Sequence, residues 1–278
     1  MPGSNARALD KARALPADVL ILDLEDAVHP GAKAEARRLV RGELGRGGYG
    51  ARELVVRVNG VRTPWGADDL EMAAASGADA VLVPKVESAE ALREAADRLA
   101  AAGAPPQQAL WAMIETPGGV LAAAEIAAAA PRLRCLVAGT SDLVKDLRAR
   151  HTPLRLEVLV SLSLVVLAAR ARGLAALDGV HLDLADDAGF EASCRQGVDL
   201  GFDGKTLIHP RTIEAANRIF GPSPEAVARA RRVIDAHEAA LSRGEGVAVV
   251  EGRLVEALHV EEAERTVALA AAIEARGW

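Results

Sequence analysis

Short runs rich in Val, Ile and Leu alternate along this chain with Ala-, Leu-, Glu- and Arg-rich stretches that have helical spacing. Strands that are apolar on both faces and are separated by helices are typical of a parallel sheet covered by helices. Seven strands are predicted, at residues 19–24, 54–58, 80–83, 110–114, 133–138, 177–182 and 205–208. The intervening stretches, such as 88–102 and 117–130, are predicted to be helices.

Seven strands fit neither common parallel architecture, because a (β/α) barrel closes with eight strands and an open doubly wound sheet usually has five or six. The chain opens with Met1-Pro-Gly-Ser-Asn5, a turn-like sequence of the kind that follows a strand, and then enters a predicted helix at 6–14. We therefore expect a further strand just upstream of Met1.

The length of 278 residues suits one α/β barrel with a short C-terminal appendage. We assign residues 1–221 to a catalytic barrel domain and residues 222–278 to a helix–hairpin–helix appendage. In the appendage, helices are predicted at 223–241 and 261–276, and a hairpin at 246–255 turns at Glu251-Gly252.

Composition excludes several classes of function. The net charge of −6 and the absence of a basic block argue against a nucleic-acid partner. Cys135 and Cys194 are far apart and form no CxxC motif, which argues against a zinc cluster or a disulfide framework. The chain has no P-loop, no GxGxxG after a strand and no GxSxG, so nucleotide hydrolysis, dinucleotide redox chemistry and serine esterase chemistry are disfavoured.

No membrane association is expected either. The longest apolar run, residues 158–169, is shorter than the roughly twenty residues that span a bilayer, and no signal peptide opens the chain. We interpret this run as a buried helix of a cytoplasmic protein.

Polar side chains follow most of the predicted strands. In parallel α/β folds, the carboxyl ends of strands and the loops after them build the functional site. The residues at these positions are Asp23, Glu25, Asp26, Arg57, Asn59, Pro84, Lys85, Glu115, Ser141, Asp142, Asp183, Lys205 and His209. A polar cluster is therefore predicted at one end of the sheet.

Two of these carboxylates, Glu115 and Asp142, are expected to converge from adjacent strands. Oxygen ligands without a nearby His favour Mg²⁺ over zinc, with water and substrate oxygens completing the shell. Each residue also stands where a helix begins, so helix capping is an equally good interpretation of the spacing.

The other charged positions allow two interpretations each. Arg57 ends an apolar strand, where its guanidinium either binds a substrate carboxylate or forms a buried ion pair with Glu25 or Asp26. The Asp23-Leu-Glu-Asp26 segment either contacts metal-bound waters or interacts with a helix dipole.

Lys85 either contacts an anionic ligand or pairs with Glu87. Lys205 and His209 suggest a Schiff-base lysine and a general base, but Lys205 is predicted to begin its strand and so to point away from the site.

A series of motifs resembles one family, in the order in which that family carries them: Pro2-Gly-Ser-Asn, Val19-Leu-Ile-Leu-Asp-Leu-Glu-Asp-Ala-Val28, Arg57-Val-Asn, Val83-Pro-Lys-Val86, Ile114-Glu-Thr, Gly139-Thr-Ser-Asp-Leu143, Leu177-Asp-Gly-Val180 and Gly201-Phe-Asp-Gly-Lys-Thr-Leu-Ile-His-Pro210. The family is that of the HpcH/HpaI aldolases and citrate lyases. The likeness is strongest to its citrate lyase beta-subunit-like branch, which includes malyl-CoA, β-methylmalyl-CoA and citramalyl-CoA lyases.

The resemblance implies an α/β (β/α)8 TIM barrel, here with its first strand truncated, that binds Mg²⁺ and makes or breaks a carbon–carbon bond beside a CoA thioester. It assigns the metal to Glu115 and Asp142 and the substrate carboxylate to Arg57. We add Asp23, Glu25, Asp26 and Lys85 as substrate-binding residues, and Glu115 is expected to contact substrate as well as the metal.

A C-terminal carboxylate is the second catalytic group that the resemblance implies. Related lyases protonate the enolate with an aspartate that reaches a neighbouring subunit, and here Glu256 stands at the matching position. A homotrimer or homohexamer is expected by the same analogy.

The expected activity is the cleavage or formation of a malyl-CoA or citramalyl-CoA type ester, giving an oxo-acid and an acyl-CoA. A malyl-CoA thioesterase with the same site, a class II pyruvate aldolase and a non-catalytic subunit of a lyase complex remain alternatives, because Glu256 and the short N-terminus depart from the family pattern.

Overall fold

Seven parallel strands form one sheet in the computed structural model, which describes residues 1–277. The strands pair in chain order, each with the next, as expected for a sheet that curls toward a barrel. Their bounds are β1 Val19–Asp23, β2 Glu53–Arg57, β3 Ala80–Val83, β4 Ala109–Ile114, β5 Leu133–Ala138, β6 Ala175–Asp178 and β7 Gly204–Lys205. The α/β class and the seven-stranded sheet predicted from the sequence are confirmed.

The strands are apolar on both faces because each face is covered. Alternate residues point to opposite sides of a strand, so Trp111 and Met113 of β4 join the cluster inside the curl with Val55, Leu82 and Val137. The intervening residues of β4 are buried on the other face of the sheet.

The N-terminal residues extend the sheet beside β1. Pro2 bridges Asp23 in a parallel sense. The Gly3 amide donates to the Asp23 carbonyl and the Asp23 amide to the Met1 carbonyl, both at 2.8 Å, and the Met1 ammonium donates to the Ile21 carbonyl at 2.7 Å. Among residues 1–277, no ladder joins β7 to β1, so the sheet is open.

Twelve α-helices are described within residues 1–277. Their bounds are α1 Ala6–Lys11, α2 Lys33–Arg46, α3 Gly66–Ala74, α4 Ala89–Ala101, α5 Pro117–Leu121, α6 Ala123–Ala127, α7 Thr140–Asp146, α8 Leu159–Arg170, α9 Asp187–Leu200, α10 Ile213–Phe220, α11 Pro224–Ser242 and α12 Ala257–Arg276. No helix in this described part of the chain is both long enough and apolar enough to span a bilayer.

Three predictions about these elements are wrong. The expected helix at 117–130 is two short helices, α5 and α6, because the chain breaks at Ala122. The last two strands end at Asp178 and Lys205, while Leu182 and Ile208, whose apolar character suggested longer strands, lie half exposed in the loops that follow.

The expected buried helix, α8, is buried on one side only. Leu162 and Val165 pack inward, whereas Val160 and Leu167 are 72% and 66% exposed.

The chain divides into two compact units, Met1–Ala216 and the segment from Asn217 onward. In the second unit, α11 and α12 pack on each other and on an antiparallel hairpin of β8 Ala248–Val250 and β9 Arg253–Val255. Its turn residues Glu251 and Gly252 have φ values of 51° and 74°, the left-handed pair that a type I′ hairpin turn requires.

Candidate active site

Asp23, the last residue of β1, organises the loop that follows it. One of its carboxylate oxygens accepts the Glu25 amide at 2.8 Å and the other accepts the Ala27 amide at 3.1 Å. The side chain is almost fully buried, so a negative charge is fixed inside the end of the sheet. The loop turns back at this point and brings Glu25 over the strand ends.

Arg57 ends β2 and is held by that carboxylate. Its Nε and Nη2 both donate to Asp23 at 2.6 Å, a bidentate geometry, and Nη1 lies 3.1 Å from Glu25. Burial alone raises the pKa of Asp23, but the hydrogen bonds and charge of Arg57 outweigh it, so this pKa lies below its usual value. The sequence anticipated an ion pair with Glu25 but missed the stronger one with Asp23.

Lys85, two residues after β3, joins three carboxylates. Its ammonium contacts Glu25 closely and lies 3.2 Å from Asp26 and 3.5 Å from Asp142. The predicted alternative, a pair with Glu87, is not among these contacts. The lysine is the most open cation of the site, with 43% of its side chain exposed.

The backbone of Lys85 contacts a fourth carboxylate. Its φ is 51°, in the left-handed region that residues other than glycine seldom adopt. In this conformation its amide donates to Glu115 Oε1 at 2.8 Å. The turn after β3 therefore fixes the carboxylate that follows β4.

Glu115 is nearly fully buried, and burial raises its pKa to about 7 against the opposing effect of Lys85. The negative charges of Glu25 and Asp142 act on this pKa in the same direction as burial. Lys85 joins the three carboxylates, because its amide binds Glu115 and its ammonium contacts Glu25 and lies 3.5 Å from Asp142. Thr116, and not Glu115, caps α5 by accepting the Gly119 amide. Asp142 lies in the first turn of α7, which has no side-chain cap. Helix capping therefore accounts for neither carboxylate.

Gly139 provides the space for Glu115. A Cβ atom at residue 139 would lie 2.3 Å from the Cβ of Glu115 and 2.6 Å from its Oε2, far closer than packed atoms approach. The turn between β5 and α7 can therefore pass Glu115 only with glycine at this position, and this contact brings Asp142 to the same end of the sheet.

The charge of this cluster fits a divalent cation. Five carboxylates and two cations meet there: Asp23, Glu25, Asp26, Glu115, Asp142, Arg57 and Lys85. When all are ionised, the carboxylates outnumber the cations by three, and every candidate ligand is a hard oxygen.

Mg²⁺ usually takes one or two protein carboxylates and completes its shell with water and substrate. Among the described residues, no group of three or more His, Cys, Asp or Glu is arranged around a metal position. Glu115 and Asp142, which both contact Lys85, supply the number of carboxylates that Mg²⁺ usually takes.

A second ionic cluster, between β6 and β7, was missed by the sequence analysis. Arg155 donates twice to Asp178, at 2.6 and 3.0 Å, and the Lys205 ammonium donates to the same carboxylate at 2.7 Å. Asp178 and Lys205 have fully buried side chains. Asp178 was the signal that could have revealed this cluster. It was overlooked because the predicted strand continued past it to residue 182.

Lys205 ends β7, so the prediction that it begins a strand and points away from the site is wrong. Burial lowers its pKa, but its ammonium is bound to Asp178 and is not exposed. His209 accepts the Arg211 amide and caps a short 3₁₀ turn.

The two clusters are connected by a close backbone contact. A Cβ atom at Gly179, the residue after Asp178, would lie 2.5 Å from Thr140 Oγ1. Thr140 begins the helix that carries Asp142. The end of β6 therefore packs directly against the turn between β5 and α7.

Glu256 lies in the second compact unit, at the N-cap of α12. It forms a reciprocal capping box with His259, whose Nδ1 accepts the Glu256 amide at 3.1 Å. Its catalytic role stays a prediction.

Comparisons with known proteins agree with one another. Residues 1–210 match the family model described as HpcH/HpaI aldolase/citrate lyase. A (3S)-malyl-CoA thioesterase from Cereibacter sphaeroides strain KD131 is 51% identical over 275 residues, covering 99% of this chain and 94% of the relative. Citrate lyase subunit beta from Escherichia coli K12 is 37% identical, covering 95% of this chain and 89% of the relative.

A solved structure is similar over the same length. The protein CitE from Mycobacterium tuberculosis, in complex with magnesium, acetoacetate and coenzyme A, has a TM-score of 0.77 and 33% identity, covering 98% of this chain and 96% of that one.

Proposed function

Because this chain belongs to the HpcH/HpaI aldolase/citrate lyase family, we propose that it is a Mg²⁺-dependent enzyme that hydrolyses the thioester of a malyl-CoA type substrate. The observation that carries the proposal is that Lys85 joins buried Glu115, which accepts its amide, to Asp142, 3.5 Å from its ammonium, beside an arginine fixed by Asp23. In this proposal, Glu115 and Asp142 bind a divalent cation, and Arg57 binds a carboxylate.

Arg57 binds the free carboxylate of the acyl group. Its Nε and Nη2 donate to Asp23, and its Nη1 donates to the Met113 sulfur at 3.8 Å and lies 3.1 Å from Glu25, which fixes the plane of the guanidinium. The second N–H of Nη2 can meet a carboxylate without a search through rotamers, so less conformational entropy is lost on binding. Asp23 is the positioning residue in this arrangement.

Glu115 and Asp142 would hold Mg²⁺, and the bound ion would supply Lewis-acid chemistry to the substrate oxygens. Glu115 is held by the Lys85 amide and by the space at Gly139, so its free oxygen has one orientation. Lys85 offsets the charge of Glu25 and Asp26 and, being half exposed, faces the incoming anionic thioester.

Hydrolysis is favoured over carbon–carbon cleavage by the thioesterase that is 51% identical over almost the whole chain. In hydrolysis, water adds to the thioester carbonyl and the sulfur of CoA leaves with a proton, giving the free hydroxy acid. Cleavage to an oxo-acid and an acyl-CoA is the second candidate, supported by the lyase relatives. It requires a proton for the enolate carbon, the role predicted for Glu256.

The test is product analysis after incubation of the protein with (3S)-malyl-CoA and Mg²⁺. Hydrolysis releases free CoA and malate, whereas cleavage releases glyoxylate and acetyl-CoA. Citramalyl-CoA in a parallel reaction reports on the acyl group. Absence of both product sets with both esters would contradict the proposal, and turnover of pyruvate with an aldehyde in place of a CoA ester would point to the aldolase alternative.

Glu115→Gln keeps the shape of the side chain and removes its charge. We expect kcat/KM to fall by about 100-fold or more and thermal stabilisation by Mg²⁺ to disappear. Glu125→Gln, an exposed glutamate on α6, is the matched control and should behave as the unmodified protein. Full activity of Glu115→Gln would exclude this site as the catalytic centre.

Glu256→Gln separates the two reactions. If hydrolysis is the net reaction, free CoA should still appear at a comparable rate. Loss of acetyl-CoA formation in this variant, measured by chromatography of the CoA products, would instead support cleavage with Glu256 as proton donor.

A further inference from the structure

Helix α7, which carries Asp142 in its first turn, is followed by residues 147–158 before α8 begins. Arg155 lies in this segment, and its guanidinium reaches back to the end of β6. Its Nη1 and Nη2 donate to the two carboxylate oxygens of Asp178 at 2.6 and 3.0 Å. The segment after α7 is therefore fixed to the strand that lies beside β5 in the sheet.

The first turn of α7 meets the same strand end. Gly179 follows Asp178, and its amide donates to Asp178 Oδ1 at 2.7 Å. A Cβ atom at Gly179 would lie 2.5 Å from Oγ1 and 2.7 Å from Cγ2 of Thr140, the first residue of α7. One carboxylate therefore holds the residue against which α7 begins and also, through Arg155, the segment into which α7 continues.

Asp178 can fix both contacts because it is fully buried and surrounded by donors. Besides Arg155 and Gly179, it accepts a hydrogen bond from the Lys205 ammonium at 2.7 Å. The Asp178 and Lys205 side chains have no exposed area. Hydrogen bonds between charged groups are among the stronger ones, and water does not compete with them inside the protein. The carboxylate is therefore held in one position, which it imposes on the groups bound to it.

Arg155 has a backbone conformation that an ordinary loop residue seldom adopts. Its φ is 53°, in the left-handed region that is unfavourable for residues other than glycine. Its amide donates to the Thr152 carbonyl at 3.0 Å, and Thr152 Oγ1 donates to Glu157 at 2.6 Å, which closes the segment around it. Strained residues of this kind are concentrated at functional sites. Lys85, whose amide holds Glu115, has the same conformation at the same end of the sheet.

We propose that Arg155 is a positioning residue for Asp142. By binding Asp178, it holds α7 in the orientation in which the Asp142 carboxylate lies 3.5 Å from the Lys85 ammonium. This inference rests on the proposed function, in which Asp142 and Glu115 bind Mg²⁺, and it gives Arg155 no contact with the ion or with substrate. Loss of a group that orients a metal ligand usually weakens metal binding by about 10- to 100-fold. We expect the lower value, because Arg155 acts through a helix.

The test is the Mg²⁺ affinity of Arg155→Met in the full chain. It is measured by isothermal titration calorimetry and as the Mg²⁺ concentration that gives half-maximal thermal stabilisation. Methionine keeps an unbranched side chain and removes the guanidinium, while Lys205 still pairs with Asp178. The dissociation constant for Mg²⁺ should rise by about 10-fold. Arg155→Lys keeps the charge but loses the bidentate geometry, so its dissociation constant should be intermediate.

Arg132→Met is the matched control. Arg132 is also a partly buried arginine that fixes a loop, since it donates to the Pro105 and Ala104 carbonyls at 2.7 and 3.2 Å. It directly precedes β5, however, and so lies at the opposite end of that strand from α7. Its loss should lower the unfolding temperature and leave the dissociation constant for Mg²⁺ unchanged.

Hydrogen exchange gives a second readout that needs no metal. Exchange of the α7 amides, followed by mass spectrometry in the absence of Mg²⁺, should be faster in Arg155→Met and unchanged in Arg132→Met, because only the first variant releases the segment that follows α7.

The outcomes separate this inference from the proposed function. An unchanged dissociation constant, or unchanged exchange of α7, in folded Arg155→Met would overturn the inference and leave the proposed function standing. Equal weakening of Mg²⁺ binding by Arg132→Met would also overturn it, because the effect would then follow stability alone. No Mg²⁺ binding by the unmodified protein would contradict both. If circular dichroism shows that Arg155→Met is unfolded, the same criteria apply to Arg155→Lys.

Discussion

Asp23 fixes the orientation of the Arg57 guanidinium. A guanidinium at the end of a buried strand needs an anionic partner, and Asp23 provides one with two short hydrogen bonds. Glu25 supplies a further contact. These contacts hold the guanidinium in one orientation, and the strength of the pair should be visible in the stability of the protein.

The first prediction concerns pH and Asp23. Its pKa in the folded protein lies below the ordinary value of about 3.9, so the unfolded chain takes up the proton first as pH falls. The contribution of Asp23 to stability is complete above the unfolded pKa and is lost as pH falls through the folded pKa.

Urea unfolding at pH 6, 5, 4 and 3 measures this effect against Asp23→Asn, which does not titrate. The stability advantage of the unmodified protein should shrink toward pH 3. A difference that stays constant across this range would mean that Asp23 does not titrate between the two states.

The sequence predicted which side chains meet at the strand ends but not how they pair. Glu25, Asp26, Lys85, Glu115 and Asp142 stood at predicted strand ends and meet there. Which carboxylate would bind Arg57 depended on how the loop after β1 turns. That turn is made by amide hydrogen bonds to Asp23, which no spacing rule reveals.

Among the elements of the candidate site, the turn between β5 and α7 should tolerate substitution least. Gly139→Ala would place a methyl group against Glu115, so either the turn or the carboxylate must move. We expect kcat/KM to fall by about 100-fold, with a loss of stability. Gly42→Ala on α2, where a methyl group meets no neighbour, should instead stabilise the protein by roughly 0.5–1 kcal/mol. Steady-state kinetics and urea unfolding of both variants provide the comparison.

The junction of β6 and β7 is held by charge. Asp178→Asn leaves Arg155 and Lys205 buried without an anion, which should lower the free energy of unfolding by about 3–5 kcal/mol. Glu35→Gln removes an exposed pair with Arg38 and should leave the free energy of unfolding nearly unchanged. Similar small effects in both variants, measured by urea unfolding, would show that the buried cluster contributes little.

The same junction explains why the sequence misplaced two strands. Three of the six residues from 177 to 182 and two of the four from 205 to 208 are apolar, which suggested longer strands. At the observed strand ends, Arg155, from a distant loop, binds Asp178 beside Lys205. Long-range ion pairs of this kind leave no local signal in a sequence.

For the whole molecule, the sheet order followed from the sequence because successive βα units pack beside one another in a parallel fold. The exposure of one side of α8 could not be predicted from the sequence, because an apolar pattern shows that a helix is apolar but not which of its sides are covered. Both observations concern the barrel unit; the second unit has its own small core around Ala230, Val233 and Ala240.

The absence of disulfides among the described residues gives a prediction at this scale. Cys135 and Cys194 are buried and unpaired, and burial raises the pKa of Cys135 well above its usual value and that of Cys194 to about 11. Ellman's reagent should therefore label neither thiol in the native protein and both after unfolding in guanidinium. Reaction in the native state at neutral pH would indicate local opening of β5 or α9.

The candidate site is closely packed at the ends of β5 and β6 and more exposed in the loops after β1 and β3. Gly139 against Glu115 and Gly179 against Thr140 leave no room for any added atom, whereas Lys85 and Asp26 have exposed side chains in loops. Mutational change in acyl-group preference should therefore accumulate after β1 and β3. A directed-evolution library selected for activity on bulkier esters should yield beneficial substitutions in these two loops. Residues at the ends of β5 and β6 should remain unchanged.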